Sequence, residues 1–213
     1  MSDRCCPPPP PSADPAHRKV LWIALVLNAA MFGVEIAGSV QSGSVSLLAD
    51  AIDFLGDAAN YGLSLAVLSM ALAWRAKASL LKAASMAAFG LFVLGRAVWS
   101  ALDGTPPLPL TMGVVALLAL AVNVFVAWTL YRYRNGDSNM RSVWICSRND
   151  AVGNIAVGIA ALGVFGTGAA WPDLLVAVGM AALALTGAWS VMRLALTELY
   201  TPVPARTGVP AQD

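Results

Sequence analysis

Three aspartates, Asp50, Asp53 and Asp57, interrupt a stretch that otherwise has the composition of a membrane-spanning helix. Their spacing of three and four residues predicts that all of them share one helix face. A charged aspartate at mid-bilayer costs about 2.5–3.5 kcal/mol on insertion scales. Carboxyls in such a position usually mark an ion or proton path. A second apolar stretch carries Cys146 and Asp150, again four residues apart. Each of the pairs Asp53/Asp57 and Cys146/Asp150 puts two metal-type ligands one helical turn apart. On facing helices, the two pairs supply the four ligands that a tetrahedral divalent ion takes. Three carboxylates make such a site hard and one thiolate softens it, a mixture that zinc, cadmium and cobalt accept. These ligands bind metal only when deprotonated, so the site holds either the ion or protons. A site of that kind, opening to either side of a bilayer, would exchange metal for protons.

The neighbouring polar residues carry plainer readings beside the functional ones. Asp50 shares the acidic face and either assists Asp53 and passes protons or is purely structural. Asn149 and Asn154 flank Asp150 and could hydrogen-bond to it. Glu35 and Asn123 are read as hydrogen-bonders between helices in preference to ligands. Cys146 taken alone would be a small buried apolar residue; Asp150 one turn on is what makes it a candidate ligand. The Cys5-Cys6 pair could catch a soft metal, although an inert tail explains it more simply, and His17 belongs to a basic flank.

The elements that must position these residues follow from composition. The chain of 213 residues is 58% hydrophobic and 12% charged, with a mean hydropathy of +0.70. Soluble domains are about 25% charged, and a span needs about 20 apolar residues. Six candidate spans satisfy that length, near 20–41, 45–73, 78–101, 107–131, 141–165 and 171–198. Turn and charge signals separate them at Ser42-Gly43-Ser44, Trp74-Arg75-Ala76-Lys77, Asp103-Gly104-Thr105-Pro106-Pro107, Arg134-Asn135-Gly136-Asp137 and Gly166-Thr167-Gly168. Arg4, Arg18, Lys19, Arg75, Lys77, Lys82, Arg132, Arg134, Arg141, Arg193 and Arg206 fall on one side of this topology. Arg96 alone falls on the other, and Arg148 lies within the fifth span. The bias predicts an all-α integral membrane protein of six transmembrane helices with N and C termini cytoplasmic. Residues 1–18 read as a disordered Pro-rich tail, 19–200 as the transport domain, and 201–213 as a short second tail. The first span is too long for a cleaved signal peptide. A net charge of +1 gives no reason to expect a nucleic-acid partner. Two adjacent cysteines and one intramembrane cysteine do not make a disulfide framework.

Depth brings the two ligand pairs together. Asp53 lies about 13 Å along its span and Asp57 about 6 Å further, while Cys146 and Asp150 lie about 8–14 Å into theirs. In a hydrocarbon core of about 30 Å both pairs are near the middle. Because the two spans are antiparallel, Asp57 should face Cys146, and Asp53 should face Asp150.

The stretch Ser42-Gly-Ser-Val-Ser-Leu-Leu-Ala-Asp-Ala-Ile-Asp-Phe-Leu-Gly-Asp57 resembles the second-helix signature of the cation diffusion facilitators, in which a His or Asp stands four before an Asp. Ser138-Asn-Met-Arg-Ser-Val-Trp-Ile-Cys-Ser-Arg-Asn-Asp-Ala-Val-Gly-Asn154 resembles their fifth-helix signature, in which a His stands four before an Asp. Trp171-Pro-Asp173 resembles the start of their sixth helix. The resemblance covers about residues 19–200. It implies a divalent-metal/proton exporter in the plasma (inner) membrane, often a homodimer, working by alternating access. Asp53 stands where many zinc-type members have His. Cys146 replaces the usual fifth-helix His and tilts preference toward softer ions. A short member is expected, lacking the C-terminal cytoplasmic domain and the His-rich loop between spans four and five.

Enzymatic readings fare worse. No P-loop appears, so ATP-driven transport is not expected. An intramembrane aspartyl protease could pair Asp53 or Asp57 with Asp150, but Phe54-Leu55-Gly56 and Ser147-Arg148-Asn149 are not the Gly-x-Gly that precedes its aspartate. A metal-binding sensor or scaffold without transport is the remaining alternative. The expected cargo is a divalent metal, with protons as counter-ion and the lipid bilayer as surroundings.

Overall fold

The computed structural model describes residues 15–66, 72–132 and 138–200. Within these, the side chains of 72–79, 138–149 and 197–200, and of His17, Ser64, Lys82, Leu194 and Ala195, lie outside the description. Six helices run through the described residues: α1 (Pro15–Ser42), α2 (Val45–Ala66), α3 (Leu72–Asp103), α4 (Pro109–Tyr131), α5 (Ser138–Thr167) and α6 (Trp171–Tyr200). The described residues contain no strand, so the fold is all-α as the hydropathy pattern predicts. Among the described residues, five helices are long and apolar enough to cross a membrane, and the described part of α2 holds three aspartates in 22 residues. Large apolar side chains such as Trp22, Leu91, Leu117, Trp128 and Phe165 face outward. That surface suits lipid, which satisfies apolar groups and leaves the helices to satisfy their own backbones.

Three of the turns fall where glycine marks them. Gly43, Gly104 and Gly168 adopt φ of +75, +71 and +64°. Their N–H groups donate to the carbonyls of Ser39, Ser100 and Val164 at 2.8, 3.0 and 2.8 Å. Each is a left-handed cap that closes a helix at no Cβ cost.

Two boundaries depart from the sequence prediction. Helix α1 begins at Pro15, so residues 15–18 are helical and not part of the N-terminal tail. Proline is tolerated in the first helical turn because its missing N–H would have no helical partner there. Helix α3 begins at Leu72, so Trp74-Arg75-Ala76-Lys77 is helix where a turn was predicted. No Gly or Pro lies between Leu72 and Gly90, and Ala, Leu, Arg and Lys are strong helix formers. The 32 residues of α3 rise about 48 Å at about 1.5 Å each, well over the roughly 30 Å of hydrocarbon. Its described apolar stretch is Ala83–Asp103, and Arg75 and Lys77 lie on the N-terminal side of it.

Helices α1, α2, α4 and α5 form a bundle, while α3 and α6 pack mainly on each other and join it chiefly through α2. Apolar layers fill the bundle. One contains Leu21, Ala24, Tyr61, Val126 and Leu130. The next contains Met31, Phe54 and Ala119. A third packs Leu47 of α2 between α4 and α5, against Met112, Val157 and Ala160. The seam with α3 and α6 is small and smooth, with Ala49, Ala97, Ala177 and Ala181 at its centre. A Cβ on Gly38 would stand 2.9 Å from Val115 Cγ2, so glycine there permits the close approach of α1 and α4.

Candidate metal site

Along α2, Leu47, Asp50, Phe54, Asp57 and Tyr61 recur at alternating steps of three and four and are all buried. This is a seam in the coiled-coil sense, facing the rest of the bundle. Asp50 and Asp57 therefore share it, whereas Asp53 lies to one side and is half-buried. Relative exposure is 1% at Asp50 and 8% at Asp57. The common acidic face predicted from spacing thus resolves into two seam positions and one flank.

Across the seam from Asp50 stands Glu35 of α1, fully buried. Glu35, Asp50 and Asp53 are near enough to act electrostatically on one another. The Glu35 and Asp50 side chains pair with each other across the helices, whereas Oδ1 of Asn123 has no hydrogen-bond partner. The reading of Asn123 as an interhelical hydrogen-bonder is therefore corrected for this oxygen, while Glu35 meets Asp50 of the neighbouring helix as read. Around Asn123 the helices approach through apolar layers that offer its oxygen no donor.

On α5, Asp150 is half-buried and Asn154, one turn on, is 1% exposed. Neither amide atom of Asn154 has a hydrogen-bond partner, so the predicted bond to Asp150 is not made. Cys146 and Asn149 sit on the helical backbone of α5, and their side chains lie outside the described residues. Helices α2 and α5 are in contact. Among the described residues, no group of three His, Cys, Asp or Glu side chains is gathered closely enough to hold a metal ion.

A second polar centre marks the start of α2. Asp173, in the first turn of α6, is 1% exposed. Its Oδ1 accepts from Ser44 Oγ at 2.7 Å, Ser46 Oγ at 2.6 Å and Ser46 N at 3.1 Å. Its Oδ2 accepts from Val45 N at 2.8 Å. Ser44 caps its own helix as well, its Oγ accepting from Leu47 N at 3.1 Å. One carboxylate therefore lies at the N-termini of two helices, where both macrodipoles favour an anion. The sequence reading took Asp173 only as the start of a helix and passed over Asn28, a buried polar residue of α1.

Residues 21–200 match the cation efflux transmembrane domain, and the chain belongs to that family. It is a multi-pass integral membrane protein. Zinc transporter ZitB of Pectobacterium atrosepticum is 24% identical over 211 residues, covering 93% of this chain and 66% of the relative. A cadmium, cobalt and zinc/H(+)-K(+) antiporter of Bacillus subtilis is 24% identical over 92% of this chain and 68% of the relative. The metal cation efflux system protein CzcD of Cupriavidus metallidurans is 25% identical over 88% of this chain and 63% of the relative. The chain spans about two thirds of the length of these relatives.

Proposed function

We propose that this protein exports a divalent cation of the zinc, cadmium and cobalt class in exchange for protons, by alternating access. The observation that carries the reading is the acidic seam of α2, buried in a membrane bundle of a cation efflux family member. Asp53, Asp57, Cys146 and Asp150 are the cargo ligands in this proposal, drawn from α2 and α5, which touch. Closing the two helices around the ion would bring the four together. In this proposal the ligand set is completed by relative movement of α2 and α5 during the cycle. The names of the relatives support both the metal class and the antiport. Both termini lie in the cytoplasm, following the basic loops. The plasma membrane is the location, and a homodimer is the assembly that family membership suggests.

The test is purified protein in liposomes with a pH-sensitive dye inside, challenged with zinc, cadmium, cobalt, nickel and manganese in turn. Metal-driven proton movement with zinc, cadmium or cobalt is the expected result. Metal binding without proton movement would replace the transporter with a membrane metal sensor.

A further inference from the structure

Two apolar layers of the bundle bracket a polar one. Ala24, Tyr61 and Val126 belong to the first layer, and Met31, Phe54 and Ala119 to the second. Asn28 lies between Ala24 and Met31 on α1, Asp57 between Phe54 and Tyr61 on α2, and Asn123 between Ala119 and Val126 on α4. Each is one turn from a member of either layer, so the three share one level of the bundle. All three are enclosed, with exposures of 1, 8 and 1%. The Nδ2 of Asn28 donates to the Ala24 carbonyl at 2.8 Å, which fixes the amide and turns its oxygen away from that carbonyl. The oxygen so presented has no hydrogen-bond donor, and neither has Oδ1 of Asn123.

A buried amide oxygen without a donor is costlier than an apolar group of the same shape. Asparagine is also a weaker helix former than leucine. The chain thus holds two polar residues where leucine would pack better and keep the helix more firmly. The oxygens are free to meet something that arrives.

We infer that Asn28, Asp57 and Asn123 form a subsite for the divalent cation, in which the two amide oxygens are neutral ligands beside the Asp57 carboxylate. The inference deepens the transport reading and rests on it. Amide oxygens are hard donors that carry no proton to release, so they take up a cation without adding to the proton count. One charge and two neutral oxygens bind more weakly than three carboxylates and a thiolate, which suits a point of passage. The subsite extends cargo contact to α1 and α4. It lies one turn beyond Asp53, toward the end of α2 remote from Asp173.

The experiment uses the full chain and zinc alone. Asn28→Leu and Asn123→Leu are purified metal-free, melted, and titrated with zinc by calorimetry. Each is expected to raise the melting temperature while weakening zinc binding by about 10-fold. Ordinary interhelical hydrogen-bonders would do the reverse, with lower melting temperatures and zinc affinity unchanged. Unchanged affinity in both variants overturns the subsite, whatever the melts show. Should a leucine variant not fold, Asn123→Asp decides: the added charge should tighten zinc binding severalfold, and an unchanged affinity overturns the inference. Wild-type protein that binds no divalent ion sinks the transport reading itself, whereas wild-type binding with unaltered variants sinks only the subsite.

Discussion

Asp173 and Asn123 are both polar, both 1% exposed, and treated in opposite ways. Asp173 accepts four hydrogen bonds from the start of α2. The Oδ1 of Asn123 accepts none, nor does Oδ1 of Asn28, and neither amide atom of Asn154 has a hydrogen-bond partner. Fully satisfied polar networks rigidify the place they occupy. Partly satisfied ones cost free energy and call for a physical reason. The first kind stands at the joint between α2 and α6, and the second lines the middle of the bundle. The contrast separates a part of α2 that must stay put from a part that must receive and release.

Breaking the receiving half should have the largest effect. Asp57→Ala and Asp150→Ala are each expected to abolish metal-stimulated proton flux in liposomes while circular dichroism stays helical. Normal flux in either variant would remove that residue from the proposed ligand set. Next in size is the joint. Asp173→Asn turns an NH₂ group toward donors that need an acceptor and should cost about 2–3 kcal/mol of stability, read from thermal or denaturant unfolding. A loss as small as that of an exposed substitution would mean the network is not holding the helices. Cys146→His is expected to shift selectivity from cadmium toward zinc, because imidazole is a harder ligand than thiolate. An unchanged flux ratio between the two metals would show that the thiol does not touch cargo. The smallest effect should come from Gly43→Ala, where φ of +75° puts a Cβ in the left-handed region at about 1–2 kcal/mol. It should lower stability without changing metal selectivity, since the turn lies outside the receiving region.

Much of the fold was legible. Runs of apolar residues located the helices, and the glycines at 43, 104 and 168 marked their ends because only glycine closes a helix this way cheaply. The start of α3 was not legible, since tryptophan and two basic residues read as a boundary although Ala, Arg and Lys there favour helix. Asp53, Asp57 and Asp150 were visible because carboxyls among apolar residues are rare. That Asp50 and Asp57 share the seam while Asp53 flanks it depends on which neighbours surround α2, which spacing alone does not reveal. Asn28 was passed over because one asparagine in an apolar helix carries little signal; its meaning comes from standing level with Asp57 and Asn123. Asp173 meets Ser44 across 129 positions of sequence, and no local pattern announces a partner that far away.

The three aspartates of α2 have a consequence for how the chain reaches its place. Each charged aspartate weakens insertion by about 2.5–3.5 kcal/mol, and the described residues of α2 hold three of them. Those carboxyls oppose its partitioning into lipid by itself. Its entry is expected to be a joint event with α1, to which the single Gly43 turn binds it and whose Glu35 it must enclose. The helix that handles the cargo is itself carried into the membrane by its neighbour.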